Sequence, residues 1–418
     1  MGSHGFSDTG TTWIGYRRGT GRYRRIQLTM FLAGVATFAQ LYAPQAVLPQ
    51  LVEAFDISIA ESSLAVSAGT LGVAVSVLPW SIVADRIGRK RVIAIAVIAA
   101  TILGFLVTLM PTFELLVAVR VLEGLALGGV PAVAVAYLNE EVHRLDAAAA
   151  VGTFIAGNTI GGLSGRLIAG PLGELTGTWQ SGFLAVSGLS VFAALMFVLL
   201  TPSPQGFLPA GRDAGLGRAI SSAFGNAFRH MRDPVLIGLY IQPMLLMGGF
   251  VAIYNYLGYH LTEAPFGLPV WLASMVFLAY LAGSISSPLA GRLAGMRGRK
   301  GVKLGCDLLA CLGLVWMLVP NLGVVVFGLI VFTAAFFGSH SVASGWAGSY
   351  PRQGRAQSTA LYNLWYYAGS SVFGFLGGLF FQWAGWNGLV FMVLGLILLA
   401  MLVGAIFLPP SKPKVRFR

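Results

Sequence analysis

Charge is scarce in this 418-residue chain: 10% of its residues are Asp, Glu, Lys or Arg, against about 25% in a soluble globular domain. With 56% hydrophobic residues and a mean hydropathy of +0.78, that shortage excludes a soluble fold. Cysteine is scarcer still. Cys306 and Cys311 lie in one apolar run, giving neither a disulfide framework nor a Cys-x-x-Cys metal spacing. No G-x-x-x-x-G-K-[ST] loop occurs, so ATP is not the expected energy source. No His-x-x-Glu or serine–histidine constellation suggests an intramembrane enzyme, and no cofactor or metal is expected. Net charge is nevertheless +12. The bases sit in short loops beside apolar runs, where anionic membrane lipid accounts for them better than nucleic acid does.

What is abundant is long apolar sequence. A membrane helix needs about 20 mostly apolar residues, and twelve such spans can be drawn. They are 26–50, 63–84, 91–110, 115–138, 147–170 and 181–201, then 234–258, 269–290, 302–319, 322–345, 356–380 and 386–408. All but two of the 27 Lys and Arg residues fall in alternate gaps or within two residues of them, Arg91 and Lys303 standing at the starts of their spans. The other gaps hold Glu53, Asp56, Glu61, Glu114, Glu174 and Glu263 without a single base. This positive-inside pattern predicts an all-α, multi-pass membrane protein with both termini cytoplasmic. Arg17 to Arg25 run straight into the first span without a small-residue cleavage pattern, unlike a cleaved leader.

The pattern sets the expected domains. Residues 1–25 form a basic cytoplasmic tail, unstructured to about Gly21; 26–201 form a first six-helix half; 202–233 form a linker. Residues 234–408 form the second half and 409–418 a basic tail. Within the linker, Ile220–Arg232 reads either as a helix on the inner membrane surface or as a plain solvated segment. The halves repeat. Asp85–Lys90 reads D-R-I-G-R-K and Gly295–Lys300 reads G-M-R-G-R-K, with Gly295 where Asp85 stands. Gly157, Gly162 and Gly165 recur as Gly369, Gly374 and Gly377 at a constant offset of 212. Two related halves with a site near the midplane form a transporter architecture, which implies a small-molecule substrate.

The two bases outside the loops are Arg120 and Arg166. A charge at the centre of a membrane helix costs about 2.5–3.5 kcal/mol on insertion scales, so such residues mark function. Arg120 and Glu123, three apart, share a helix face and can neutralise each other. Glu123 either changes protonation as the cavity opens, coupling transport to protons, or stays a permanently ionised structural partner. Arg166 either offers Glu123 a second partner or snorkels to the outer headgroups. Gly157, Gly161 and Gly165 lie one turn apart, a stripe that lets helix backbones approach closely.

The second half offers aromatic and amide groups instead of charge: Tyr254 and Asn255, His340, and Tyr362, Asn363, Trp365 and Tyr366. An aromatic wall with a few amides suits an amphipathic organic ligand. Trp383 and Trp386 are expected in an interfacial belt. Asp307, four residues after Lys303, is expected to form a local ion pair.

Ser81-x-x-x-Asp85-Arg86-x-Gly88-Arg89-Lys90-Arg91, between the second and third spans, resembles the signature loop of the major facilitator superfamily. Ser81 stands where that family usually has glycine. The resemblance implies twelve helices in two pseudo-symmetric halves, alternating access, and a monomer. It implies that Asp85, Arg86, Gly88 and Arg89 belong to a gating network latching the outward-facing state, with Glu140 or Glu141 as the partner of Arg89. The alternative is that these charges only set topology. Arg120-x-x-Glu123-Gly124 resembles the family's fourth-helix motif, associated with proton coupling. Gly157-x-x-x-Gly161-Gly162-x-x-Gly165-Arg166 resembles the fifth-helix motif of its drug and metabolite antiporters, with Gly162 for proline and Arg166 for the last glycine. Phe336–Trp346, Tyr362, Tyr366–Val372 and Gly161–Arg166 resemble the YnfM branch, which implies efflux across the plasma (inner) membrane, with dyes such as acriflavine among the candidates. Proton-coupled import of a metabolite is the alternative, and a non-transporting receptor or structural subunit is the reading from a different class.

Overall fold

The computed structural model describes residues 13–207 and 225–410. The first half contains α1 (Gly21–Tyr42), α2 (Leu48–Phe55), the one-turn α3 (Ile59–Ser62), α4 (Leu64–Ile87) and α5 (Arg89–Val107). It continues with α6 (Phe113–Leu127), α7 (Gly129–Glu141), α8 (Ala147–Thr176) and α9 (Trp179–Leu200). The second half contains α10 (Pro234–Thr262), α11 (Val270–Ser274), α12 (Tyr280–Arg297), α13 (Arg299–Trp316), α14 (Leu322–Ser349) and α15 (Arg355–Phe407). Among the described residues no strand forms, and Tyr16 and Val142 make an isolated bridge.

Polar residues in the gaps start these helices by accepting from orphan N–H groups. Thr112 caps α6, Asp233 caps α10 ahead of Pro234, and Asn321 caps α14. Nine helical stretches among the described residues are long and apolar enough to cross a membrane. The last, Gln357–Phe407, has 51 residues and breaks at Ala384 and Gly385, where φ and ψ leave the helical region. With α8 at 30 residues and α13 at 18 also long enough, the protein is an all-α, multi-pass membrane protein consistent with twelve spans.

Two compact units emerge, Met1–Val47 with Ala68–Ala214 and Leu48–Ser67 with Gly215–Arg418. In the first, α8 lies on α1 through the glycine stripe. A Cβ on Gly157, Gly161 or Gly165 would strike the carbonyls of Phe31, Val35 and Ala39 respectively, so only glycine permits this backbone contact. In the second unit α15 meets α10 in a related way. Gly369 abuts the Met244 carbonyl, but Phe373 stands where Gly161 stands, and Gly248 on the facing helix makes room for its ring. Here too Ser62 Oγ lies 3.1 Å from Tyr259 Oη, and Ser67 Oγ donates to the Ser371 carbonyl at 3.3 Å.

Two expectations change, and a third lies partly outside the described residues. The segment expected to be unstructured to Gly21 is held from residue 13: Tyr16 N donates to Glu141 O at 2.8 Å, and His143 N donates to Tyr16 O at 3.0 Å. Those backbone partners lie at the end of α7 and just beyond it, and could not be read from local composition. Trp386 is buried rather than interfacial, because its Nε1 donates to Met317 O at 2.9 Å and its ring stacks 4.4 Å from His260. Of Ile220–Arg232, read as a surface helix or a solvated segment, residues 225–230 are helical and 220–224 lie outside the described residues. Arg212, Arg218 and the tail bases after residue 410 lie outside them as well.

Candidate functional site

The first unit buries Arg120, Glu123 and Arg166, each no more than 1% exposed, around the C-terminal end of α1. Pro44 is the local cause. Having no N–H, it cannot donate to the Gln40 carbonyl one turn back, and α1 ends at Tyr42 with a 3-10 turn at Ala43–Ala46. The carbonyls thus freed attract a cation, as does the negative end of the helix dipole. Arg120 Nη1 donates to Gln40 O at 3.2 Å and Nη2 to Leu41 O at 2.9 Å. Nη1 also binds Glu123 Oε2 at 2.7 Å. Gly69 leaves the space: a Cβ there would sit 2.6 Å from Arg120 Nη2.

The arginine and its acid are unequal. Arg120 has two backbone acceptors besides Glu123. On the other side of the carboxylate, a Cβ at Gly104 would lie 2.7 Å from Gln40 Oε1, 2.9 Å from Ser187 Oγ and 3.4 Å from Glu123 Oε1. Gln40 Oε1 is buried and accepts no hydrogen bond among the described residues. The glycine therefore keeps a small polar space beside Glu123, with an amide oxygen available in it. Arg166 is placed on the next turn: its Nε donates to Gln45 Oε1 at 2.7 Å, its Nη1 to Gly162 O at 2.6 Å, and its guanidinium lies 4.5 Å from the Tyr42 ring centre. Gln40, Gln45, Gly104 and Ser187 carry no pattern that sequence spacing could have flagged.

A second charge cluster sits at the α4–α5 turn. Arg89 pairs with Asp85 at 2.8 Å and with Glu140 at 3.0 Å. Glu141 faces elsewhere, accepting from Gln205 N at 2.9 Å and Gly206 N at 2.8 Å. Phe207 lies under the Arg89 guanidinium at 5.6 Å, so the start of the linker helps hold this network. Gly88 makes the turn at φ 97°, a conformation other residues adopt only with strain. Arg86 lies beside it, lining a cavity with Phe207.

In the second unit the aromatic residues form one continuous wall across α10, α14 and α15. Tyr254 lies 4.8 Å from Phe250, which stacks at 4.0 Å on Phe336; that ring lies 5.8 Å from His340, and His340 lies 5.0 Å from Tyr366. Tyr254 Oη bonds Thr333 Oγ1 at 2.7 Å, and Tyr362 Oη bonds His340 Nδ1 at 3.0 Å. Asn255 is buried, while Asn363 and Trp365 are half-buried, with Trp365 packed against the Tyr240, Trp346 and Tyr362 cluster. Phe250 and Phe336, which join the two ends of the wall, look in sequence like any other apolar residue of a span. Lys303 and Asp307, both fully buried, pair at 2.5 Å, and Ser339 Oγ donates to Asp307 at 2.6 Å.

The first unit thus buries charges in membrane-crossing helices, and the second carries an aromatic wall. The family model of the Major Facilitator Superfamily matches residues 30–372 and 271–418. The chain is 37% identical over 388 residues to the inner membrane transport protein YnfM of Escherichia coli (strain K12), covering 93% of this chain and 91% of that protein. It is 34% identical over 385 residues to the uncharacterized MFS-type transporter YybF of Bacillus subtilis (strain 168), covering 92% and 94%. Among solved structures it resembles a bacterial homologue of the human lysosomal transporter Spinster, at a TM-score of 0.75 and 17% identity over 93% of this chain and 97% of that one. A D-xylose–proton symporter matches with a TM-score of 0.74 and 14% identity over 94% and 99%. The chain belongs to the Major Facilitator Superfamily. It is a secondary transporter with a small-molecule substrate, not an enzyme.

Proposed function

We propose that this transporter exports a small amphipathic organic compound in exchange for protons, with Glu123 as the proton carrier. The observation that carries this is the inequality of the Arg120–Glu123 pair. When Glu123 takes up a proton, Arg120 keeps the Gln40 and Leu41 carbonyls, so its charge is not left bare. Gln40 Oε1, which borders the same Gly104 space and accepts no hydrogen bond among the described residues, is available to the new carboxylic O–H. Discharging this pair therefore costs less than discharging an isolated buried one. Arg166, tied to Gln45 and Gly162, keeps a second positive charge nearby. The substrate would lie against the Tyr254–Phe250–Phe336–His340–Tyr366 wall, with Asn363 as a hydrogen-bonding group. Asp85, Arg89 and Glu140 would act as the gate. The protein would work as a monomer in the inner membrane, with its basic loops and termini in the cytoplasm.

Two measurements test this. Ligand binding to the purified protein in weakly buffered detergent should release protons, and binding without release removes the coupling. Inverted membrane vesicles with an acid interior should accumulate substrate; accumulation only in right-side-out vesicles makes the protein an importer.

A further inference from the structure

The two halves share a loop geometry but not its charges. Gly88 has φ 97° and ψ 145°, and Gly298 has φ 97° and ψ 143°; each precedes an Arg-Lys pair that starts a helix. The lysines repeat their contacts. Lys90 Nζ donates to Thr201 O at 2.6 Å, and Lys300 Nζ donates to Leu408 O at 2.8 Å, carbonyls at the end of the last helix of each half. The arginines do not repeat theirs. Arg89 is clamped by Asp85 and Glu140. Arg299 has Gly295 one turn before it, and among the described residues no carboxylate lies within ion-pairing distance of it.

A cavity of about 530 Å³ occupies that region, lined by Arg299, Gly295, Ser341, Trp346, Ser349 and Tyr350. Arg299 Nη1 donates to Ser349 Oγ at 2.9 Å, and the guanidinium stands 5.9 Å from the Trp346 ring centre. These two contacts orient the guanidinium fork at the cavity that Ser341 and Tyr350 also line. The surrounding charge is mostly positive, with Asp233 the acid near enough to act on the lining Tyr350. Arg292, Arg297, Lys300, Arg352 and Arg355 belong to the same loops, and the acid between residues 291 and 355 is Asp307, buried against Lys303. A planar fork of donors without a paired carboxylate, among an excess of basic residues, fits a tetrahedral oxyanion, and the volume falls in the range of about 300–1,000 Å³ usual for ligand sites.

We propose that the Arg299 cavity binds a phosphate group, carried by either a phospholipid headgroup or a soluble phosphate. The bound anion takes the place that Asp85 and Glu140 fill in the first half. This site is independent of the coupling role given to Glu123.

The test is thermal unfolding of the purified full-length protein, with added inorganic phosphate in one arm and phosphatidylglycerol nanodiscs against phosphatidylcholine nanodiscs in the other. Ligand binding to the folded state raises the unfolding temperature. Protection by phosphate over chloride at matched ionic strength identifies a soluble source; protection by phosphatidylglycerol alone identifies a lipid source. Either effect should weaken at least five-fold in Arg299→Gln. It should weaken equally in Gly295→Asp, which restores the first-half carboxylate at a position whose Cβ would meet nothing within 4 Å. No protection in either arm, or equal protection of wild type and both variants, would overturn the proposal.

Discussion

Arg120 binds Glu123 through Nη1 at 2.7 Å while holding two carbonyls of α1, Gln40 O and Leu41 O. The arginine thus serves as the C-terminal cap of a membrane helix as well as the partner of an acid. Removing it should do two kinds of damage. Arg120→Ala leaves a fully buried carboxylate and two bare carbonyls, and loss of one partner of a buried pair costs about 3–5 kcal/mol. A marked fall in unfolding temperature in detergent is expected, with Glu123→Gln falling much less. Equal falls for the two variants would show that the carbonyl contacts carry no weight.

Gly104 guards the space beside the acid. In Gly104→Ala the new methyl would sit 2.7 Å from Gln40 Oε1 and 2.9 Å from Ser187 Oγ, and overpacking of this kind costs about 1–3 kcal/mol. Transport should slow and its pH profile should shift, while Gly188→Ala, where a Cβ meets nothing within 4 Å, should behave as wild type. An unchanged pH profile in Gly104→Ala would separate this space from proton movement.

Asp85 and Glu140 clamp Arg89 from two helices. If the clamp is a gate, Asp85→Asn should increase the inward-open population, measured as spin-label distances between the α4–α5 and α12–α13 loops. A coupling of about 1–3 kcal/mol corresponds to a population change of roughly five-fold or more. An unchanged distance distribution would reduce Asp85 to a topology signal.

Arg120 and Arg166 outnumber Glu123 in the first unit's buried cluster. Neutral or anionic amphipathic compounds should therefore bind more tightly than quaternary ammonium dyes of the same size. Phe250→Ala and Tyr366→Ala should weaken that binding, since stacked aromatic contacts contribute about 0.5–1.5 kcal/mol each beyond burial. Tighter binding of a permanent cation than of its neutral isostere, lost in Glu123→Gln, would mean that substrate and proton share the carboxylate.

The fold was legible because lipid imposes run length and basic-loop alternation on the whole sequence. The i, i+3 spacing of Arg120 and Glu123 and the glycine stripe facing Phe31, Val35 and Ala39 were legible for the same reason: helical period fixes them locally. What brings Gln40, Gln45, Gly104 and Ser187 to the charges is contact between distant helices, for which sequence has no period. Pro44 was visible but uninterpreted, because its effect is a freed carbonyl that matters only when Arg120 arrives from α6. Phe250 and Phe336 were hidden by being ordinary core residues until packing stacked them between Tyr254 and His340.

The most direct measurement concerns Glu123 itself. Wild type and Glu123→Gln, reconstituted in proteoliposomes, should be compared for transport driven by a proton gradient and for substrate counterflow without one. The expected result is that Glu123→Gln loses gradient-driven transport and keeps counterflow, because the amide preserves the shape beside Arg120 but cannot carry a proton. Gradient-driven transport at the wild-type rate in Glu123→Gln would contradict the assignment and place coupling elsewhere in the protein.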